Sequence, residues 1–355
     1  MPAVRISTVL MAAAVPAAVV GFLAPSVHTS ARRLQQPAGL RMSATEDTSP
    51  SPFDRRSLVN RVAAGLLGTA AVVTTAAGTG EELRLLTGVD TAASASEPGT
   101  KQSPIAVVGA GGKCRKTGKL AVEGLLKRGR NVRAVTRTGE FSLRGGDGGD
   151  LMTTAAGDVT KTDTLKQALA GCGAVLFCAS ASKKGGNAEA VDNQGVLNTA
   201  QACVELGVPR LVVISSGAVT KPDSLGFKVT NVFGNIMTLK RKGEVGLEEI
   251  YAAAPKGVTY TIVRPGGLTD GAVIGPAGIE LNQGDTIGGT VGRGDVAEVV
   301  VEAALSPATE NTIFEIYDKK SRAPLQGGLP KTSGYERSGE SYEAIFKGLQ
   351  GGIGL

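Results

Sequence analysis

The segment Pro104-Ile-Ala-Val-Val-Gly109-Ala-Gly111-Gly112-Lys113-Cys114-Arg115-Lys116-Thr117-Gly118 constrains the fold of this chain more than any other. The apolar residues before the first glycine read as a short buried strand. Beyond Gly118, Leu120, Val122, Leu125 and Leu126 recur at helical spacing and read as one face of an amphipathic helix. A strand, a glycine-rich turn and a helix in that order form a phosphate cradle. The turn needs positive φ, the backbone must come close to the anion, and the helix N-terminus offers free N–H groups. Gly109, Gly111, Gly112, Lys113, Thr117 and Gly118 are therefore the expected contacts of a pyrophosphate.

From residue 103 onward, apolar runs alternate with helical periodicity, which predicts a parallel sheet covered on both faces. The expected strands are Ile105–Val108, Asn131–Arg137, Ala174–Ala179, Arg210–Ser216, Val258–Arg264 and Thr312–Tyr317. The expected helices cover Thr117–Arg128, Thr162–Ala170, Val191–Leu206, Val232–Ala254 and Asp295–Leu305. This is a single α/β domain over residues 97–318, a Rossmann-type doubly wound parallel sheet. The Gly-rich tail, 319–355, carries a short helix around Tyr342-Glu-Ala-Ile-Phe-Lys347 that either folds back on the domain or serves a partner.

The first hundred residues are not domain-like. They contain no lysine, and Lys101 is the first of the chain. Residues 1–25 read as a signal peptide, because Arg5 precedes a short apolar run broken by Pro16. Val20-Gly-Phe22-Leu-Ala-Pro25 resembles the cleavage motif of algae whose plastids lie inside the endomembrane system. Residues 26–96 then read as a plastid transit region. Within it, Arg55-Arg56, the apolar run Val62–Ala77 and Ala93-Ser-Ala95 resemble a twin-arginine signal for transfer into the thylakoid lumen. The stroma is the expected location and the lumen the alternative. That run has 16 residues, short of the roughly 20 that span a bilayer, so no stable span is expected in the mature form.

Composition excludes several chemistries. Residues 97–355 hold 30 basic and 26 acidic side chains (38 less 8, and 32 less 6), a net charge of +4. That balance, with few aromatics and no tryptophan, argues against a nucleic-acid partner. The one histidine, His28, lies in the leader, so the domain has neither a His-dependent catalytic triad nor a His-ligated metal. Cys114, Cys172, Cys178 and Cys203 form no C-x-x-C pair and no metal site is expected. Cys114 differs from the others in sitting within the glycine turn, near a helix N-terminus.

Arg137 lies 19 residues beyond Gly118, at the end of the second strand. An acidic residue there would bind the adenosine ribose hydroxyl of NAD, whereas an arginine suits the 2′-phosphate of NADP. The expected cofactor is NADP, with NAD the weaker alternative. Arg133 and Lys113 are expected to add to the same positive field.

Several segments together resemble the divergent, or atypical, short-chain dehydrogenase/reductases of the NAD(P)-binding, NmrA-like branch. The carriers are the glycine turn, Val132-Arg-Ala-Val-Thr-Arg137, Gly157-Asp158-Val159, Val191-Asp-Asn-Gln-Gly-Val-Leu-Asn198, Gly207-Val-Pro-Arg-Leu-Val-Val-Ile-Ser-Ser216 and Tyr260-Thr-Ile-Val-Arg-Pro-Gly-Gly-Leu268. The resemblance implies Asp158 and Val159 beside the adenine, Ala179 and Ser180 on the ribose side, and Pro265 and Gly266 at the nicotinamide end. It also implies a substrate-polarising serine at Ser215 or Ser216, with Ser216 preferred, and a ribose-binding lysine at Lys242. Two departures stand out. Cys114-Arg115-Lys116 lengthens the phosphate turn, which either adds grip or loosens it. The family's tyrosine, four residues before its lysine, is replaced by Thr238.

Two functions remain open at this stage. One is an NADPH-dependent reductase of a small carbonyl or quinone-like substrate. The other is a non-catalytic NADP(H)-binding redox sensor or an assembly factor for photosynthetic complexes.

Overall fold

Ile105–Val108 (β1) buries all four of its side chains, Ile105 and Val107 toward one core, Ala106 and Val108 toward the other. A strand apolar on both faces belongs inside a sheet covered on both sides. The computed structural model describes residues 97–111, 117–143, 146, 148–181, 187–232, 234–325 and 335–352. Its other elements follow β1 in chain order. The first half continues with α1 (Thr117–Lys127), β2 (Val132–Thr136), β3 (Met152–Ala156), α2 (Thr162–Leu169), β4 (Ala174–Phe177), α3 (Gln194–Leu206) and β5 (Arg210–Ile214). Next come α4 (Leu225–Asn231), α5 (Ile236–Ala252), β6 (Thr259–Pro265), β7 (Gly267–Thr269), α6 (Gly275–Gly278) and β8 (Ile279–Asn282). The chain closes with β9 (Ile287–Gly288), β10 (Thr290–Gly292), α7 (Arg293–Leu305), β11 (Thr312–Asp318), β12 (Ala323–Pro324) and α8 (Tyr342–Phe346).

The main sheet has eight strands in the order β3-β2-β1-β4-β5-β6-β11-β8. All neighbours pair in parallel except β8, which runs antiparallel to β11. One core lies between the sheet and the residues of α1, α7 and α8; the other lies beneath α2, α3 and α5. Arg128, just past α1, ties it to α7 through Glu298 (2.5 Å) and Glu302 (2.7 Å).

The expected doubly wound α/β sheet is present, with four local differences. Met152-Thr-Thr-Ala-Ala156 is an edge strand whose side chains are largely exposed, so it carries no apolar alternation to read. The helix expected over Val232–Ala254 starts at Ile236, because Asn235 takes φ of +56° and separates α4 from α5. The helix expected from Val191 opens instead with a π turn, Glu189–Asn193. The antiparallel strand β8 has no counterpart among the expected strands.

Residues 335–352 pack on the domain. Arg337 pairs with Leu281, Gly351 faces Thr312, and Ile345 and Phe346 are buried in the same core as Phe314. Ser341 starts α8 by accepting a hydrogen bond from the Ala344 N–H at 3.1 Å. Ser341→Ala should lower stability by about 1 kcal/mol. A urea melt followed by fluorescence or circular dichroism would read that as a small shift in midpoint at constant slope. No shift at all would mean that α8 is not part of the cooperative unit. Among the described residues no helix is long and apolar enough to cross a membrane. The signal, transit and twin-arginine expectations fall in residues 1–96, outside the described residues.

Candidate functional site

The segments leaving β1, β4, β5 and β6 open a cleft of about 1260 Å³ at the carboxyl ends of the parallel strands. The strand order reverses direction between β1 and β4, the place where open α/β sheets form their binding crevice. Gly109 leaves β1 with φ of +84°, and a Cβ on it would lie 2.7 Å from the Ala179 nitrogen. A Cβ on Gly118 would overlap the Gly109 carbonyl oxygen. These two glycines let the turn after β1, the segment after β4 and the start of α1 pack backbone against backbone, the close approach that a phosphate-binding turn needs. Thr117 opens α1 and lines the cleft, and Gly111 lies half-buried against Thr136. Gly112, Lys113 and the inserted Cys114–Lys116 lie outside the described residues.

Arg137 is exposed just beyond β2, and its charge reaches Asp158, just beyond β3. The Asp158 carboxyl is held below the usual range chiefly by the Thr160 backbone N–H, 3.0 Å away, against the effect of partial burial. The Thr160 hydroxyl, Lys161 and Arg137 contribute further. Val159 is buried, and its carbonyl accepts from Asn198 Nδ2 at 2.8 Å. Arg133 does not join Arg137. Its guanidinium donates to the carbonyls of Ala168 (3.0 Å) and Ala170 (2.8 Å) at the end of α2.

Ala179, Ser180, Ser216, Pro265 and Gly266 all line the cleft, together with Ser215 and Ala181. The two serines differ. The Ser216 hydroxyl donates to the Gly217 carbonyl at 3.1 Å. The Ser215 hydroxyl is buried with no partner among the described residues. Leaving such a group unpaired costs about 1–3 kcal/mol, which a ligand oxygen would recover. The unspent hydrogen bond therefore belongs to Ser215, not Ser216. Burial pushes the Cys178 thiol up to about 12, so it lines the cleft as a protonated, unreactive side chain.

The lysine assignment changes. Lys242 is exposed on α5 and does not reach the cleft; Lys240 lines it. The buried face of α5 runs through Met237, Gly243, Glu244, Leu247 and Tyr251, and Lys240 lies on that face one turn before Glu244. Two residues further on, Lys242 is rotated about 200° around the axis. Thr238 falls with it: the residue is exposed, and its hydroxyl accepts from Asn231 Nδ2 at 3.3 Å. The residue four before Lys240 is Ile236, and no tyrosine is among the described residues lining the cleft.

A family profile described as NAD(P)H-binding matches residues 109–307, more than half of the chain. The chain belongs to that family. It is a divergent, short-chain-dehydrogenase-like NAD(P)-binding protein of a plastid-bearing organism. An uncharacterised chloroplast protein of Arabidopsis thaliana is 29% identical over 72% of this chain and 86% of its own length. Sanguinarine reductase of Eschscholzia californica is 27% identical over 57% of this chain and 85% of its own. Among solved structures, the oxidoreductase ylbE of Lactococcus lactis superposes with a TM-score of 0.51 at 20% identity. That likeness covers 61% of this chain and 91% of the other, and it is one of fold. The chloroplast relatives agree with the plastid reading of the leader.

Sequence reasoning passed over Lys240 and Asp192. The signal for Lys240 was available in the helical phase of Gly243, Glu244, Leu247 and Tyr251. Asp192 had none, because a π turn sets its direction and local sequence does not announce one.

Proposed function

We propose that this protein is an NADPH-dependent reductase of a small carbonyl or quinone-like acceptor in the plastid stroma. The observation that carries the reading is the presence in one cleft of the Lys240 ammonium, which keeps donors beyond its bond to Asp192, and the unpartnered Ser215 hydroxyl, beside Pro265 and Gly266. Bound NADPH supplies a hydride there. Ser215 is suited to donate a hydrogen bond to an acceptor oxygen, and Lys240 to offset the negative charge that oxygen gains. Gly109, Gly111, Gly112, Lys113, Thr117 and Gly118 would hold the pyrophosphate, Asp158 and Val159 the adenine, and Ala179 and Ser180 the ribose. Arg137 would take the 2′-phosphate. A sanguinarine reductase among the relatives supports reductase chemistry.

The second reading, an NADP(H)-binding sensor or a partner of a photosynthetic complex, draws on Ile236. An apolar side chain stands where the family's phenol would deliver a proton. Purified protein should gain about 2.7 kcal/mol of stability at NADPH a hundredfold above its Kd. Absence of thermal stabilisation by NADPH would sink both readings. Steady oxidation of NADPH with quinones or aldehydes, lost in Lys240→Met, supports the reductase. Tight binding with no turnover across the panel supports the sensor. N-terminal sequencing of mature protein from isolated plastids separates stroma from lumen, since processing at Ala95 would mark the lumenal form.

A further inference from the structure

We propose that Asp192 is the positioning residue of this cleft: its carboxylate fixes the Lys240 ammonium and the Ser180–Ala181 backbone as one unit. The inference rests on the reading of Lys240 as the cleft's working cation.

Asp192 is 1% exposed. A carboxylate that far from water needs a counter-charge and hydrogen-bond donors. Its Oδ1 meets Lys240 Nζ at 2.8 Å and accepts from the Ser180 hydroxyl at 2.7 Å. Its Oδ2 accepts from the Ala181 N–H at 2.9 Å. Three separate parts of the chain thus converge on one side chain: the segment after β4, the turn before α3, and α5.

Two backbone features make the convergence possible. The π turn Glu189–Asn193 widens the helix where Asp192 points inward. Gly243, one turn beyond Lys240, lets α5 press against that turn, since a Cβ there would lie 2.6 Å from the Asp192 carbonyl oxygen.

The basic run Lys240-Arg241-Lys242 is sorted by the same geometry. Arg241 turns to Glu244 (3.1 Å) and Glu248 (3.4 Å), and Lys242 stays exposed. Lys240 alone of the three reaches Asp192, with its side chain 13% exposed.

A lysine ammonium carries three donors and this ion pair uses one. The others remain available to a ligand hydroxyl or a developing oxyanion. With Ile236 one turn earlier and Glu244 one turn later, the lysine has no phenol within a turn of it on its own helix. Its charge is held instead by a carboxylate across the helix interface. The Ser180–Ala181 segment rests on the same carboxylate, so the ribose-side wall and the cation are set together. Loosening Asp192 should disturb both at once.

The test uses the full chain and two readouts. Acetylation by acetic anhydride, followed lysine by lysine in a mass spectrometer, should find Lys240 roughly tenfold slower than Lys242, the scale of one charge-assisted hydrogen bond. Asp192→Asn should bring Lys240 close to Lys242 while leaving Lys242 itself unchanged. NADPH titration by fluorescence should show Asp192→Asn and Lys240→Met each weakening binding roughly tenfold. The double variant should bind no more weakly than Lys240→Met alone, because residues acting as a unit are not additive.

Labelling of Lys240 as fast as Lys242 in the wild type overturns the proposal without any variant. So does unchanged Lys240 labelling in Asp192→Asn, or a double variant whose losses multiply. If the wild type binds no NADPH, the cofactor reading fails by itself, and the labelling rates still decide the role of Asp192.

Discussion

Arg264→Met should cost about 3–5 kcal/mol, a large share of the roughly 5–15 kcal/mol that stabilises an ordinary domain. A guanidinium melt would show a collapsed midpoint, or the variant would be recovered only as aggregate. The reason is a charge cluster with no access to water. The Arg264 side chain is 0% exposed and grips Glu244 with two bonds, Nε to Oε1 at 3.1 Å and Nη2 to Oε2 at 2.8 Å. Its Nη1 reaches Glu315 Oε1 at 3.2 Å. Glu315 Oε2 accepts from the Asp285 N–H (3.0 Å), and the Asp285 carboxylate accepts from Ala218 N (2.6 Å) and from Thr220 N (2.9 Å) and Oγ1 (2.8 Å). Removing the arginine takes away the guanidinium that joins the two buried side chains, leaving Glu244 with only the partly exposed Arg241 and Glu315 with neutral donors. A midpoint within experimental error of the wild type would mean that the cluster is not closed to solvent.

The same cluster predicts a pH trend. Burial, and then the Asp285 carboxylate, push Glu315 up to about 8, with Arg264 opposing. Its folded pKa therefore lies above its unfolded one, so the folded state holds the extra proton. That contribution is complete below the unfolded value and is lost as pH rises toward 8, at no more than about 1.4 kcal/mol per pH unit. Melts at pH 5 to 8 should show Glu315→Gln flattening this decline. Equal slopes in both proteins would refute the assignment.

Arg137→Asp should weaken NADPH about a hundredfold and leave NADH within roughly threefold, as expected for losing charged bonds to a phosphate and adding repulsion. The asymmetry is the point of the test. A side chain that merely supported the fold would affect both cofactors alike. Arg137 is exposed and sits where β2 and β3 end, near Asp158, so its replacement should not harm folding. Equal loss for the two cofactors, or no loss, would remove the 2′-phosphate from the picture.

Much of the molecule is legible in the residues alone. Ile-Ala-Val-Val before Gly109 can be buried on both faces only within a covered parallel sheet, and Gly109 and Gly118 permit the tight turn into α1. Those are local facts, carried by side-chain size and period. The absence of a tyrosine four residues before any lysine is equally local. What eluded the sequence was direction. Lys240 and Lys242 have the same chemistry, and only the packing of α5 against α3 separates a cleft cation from a solvated one. Ser215 and Ser216 are the same residue type, and only the turn at Gly217 leaves one hydroxyl satisfied and the other bare. Asp192 looks like any acidic residue of a helix until the π turn aims it inward. The sequence by itself determined the sheet, the tight glycine turn and the family. The tertiary structure alone decided which side chains face the cleft, because that depends on how helices rotate and pack, which no spacing along the chain records.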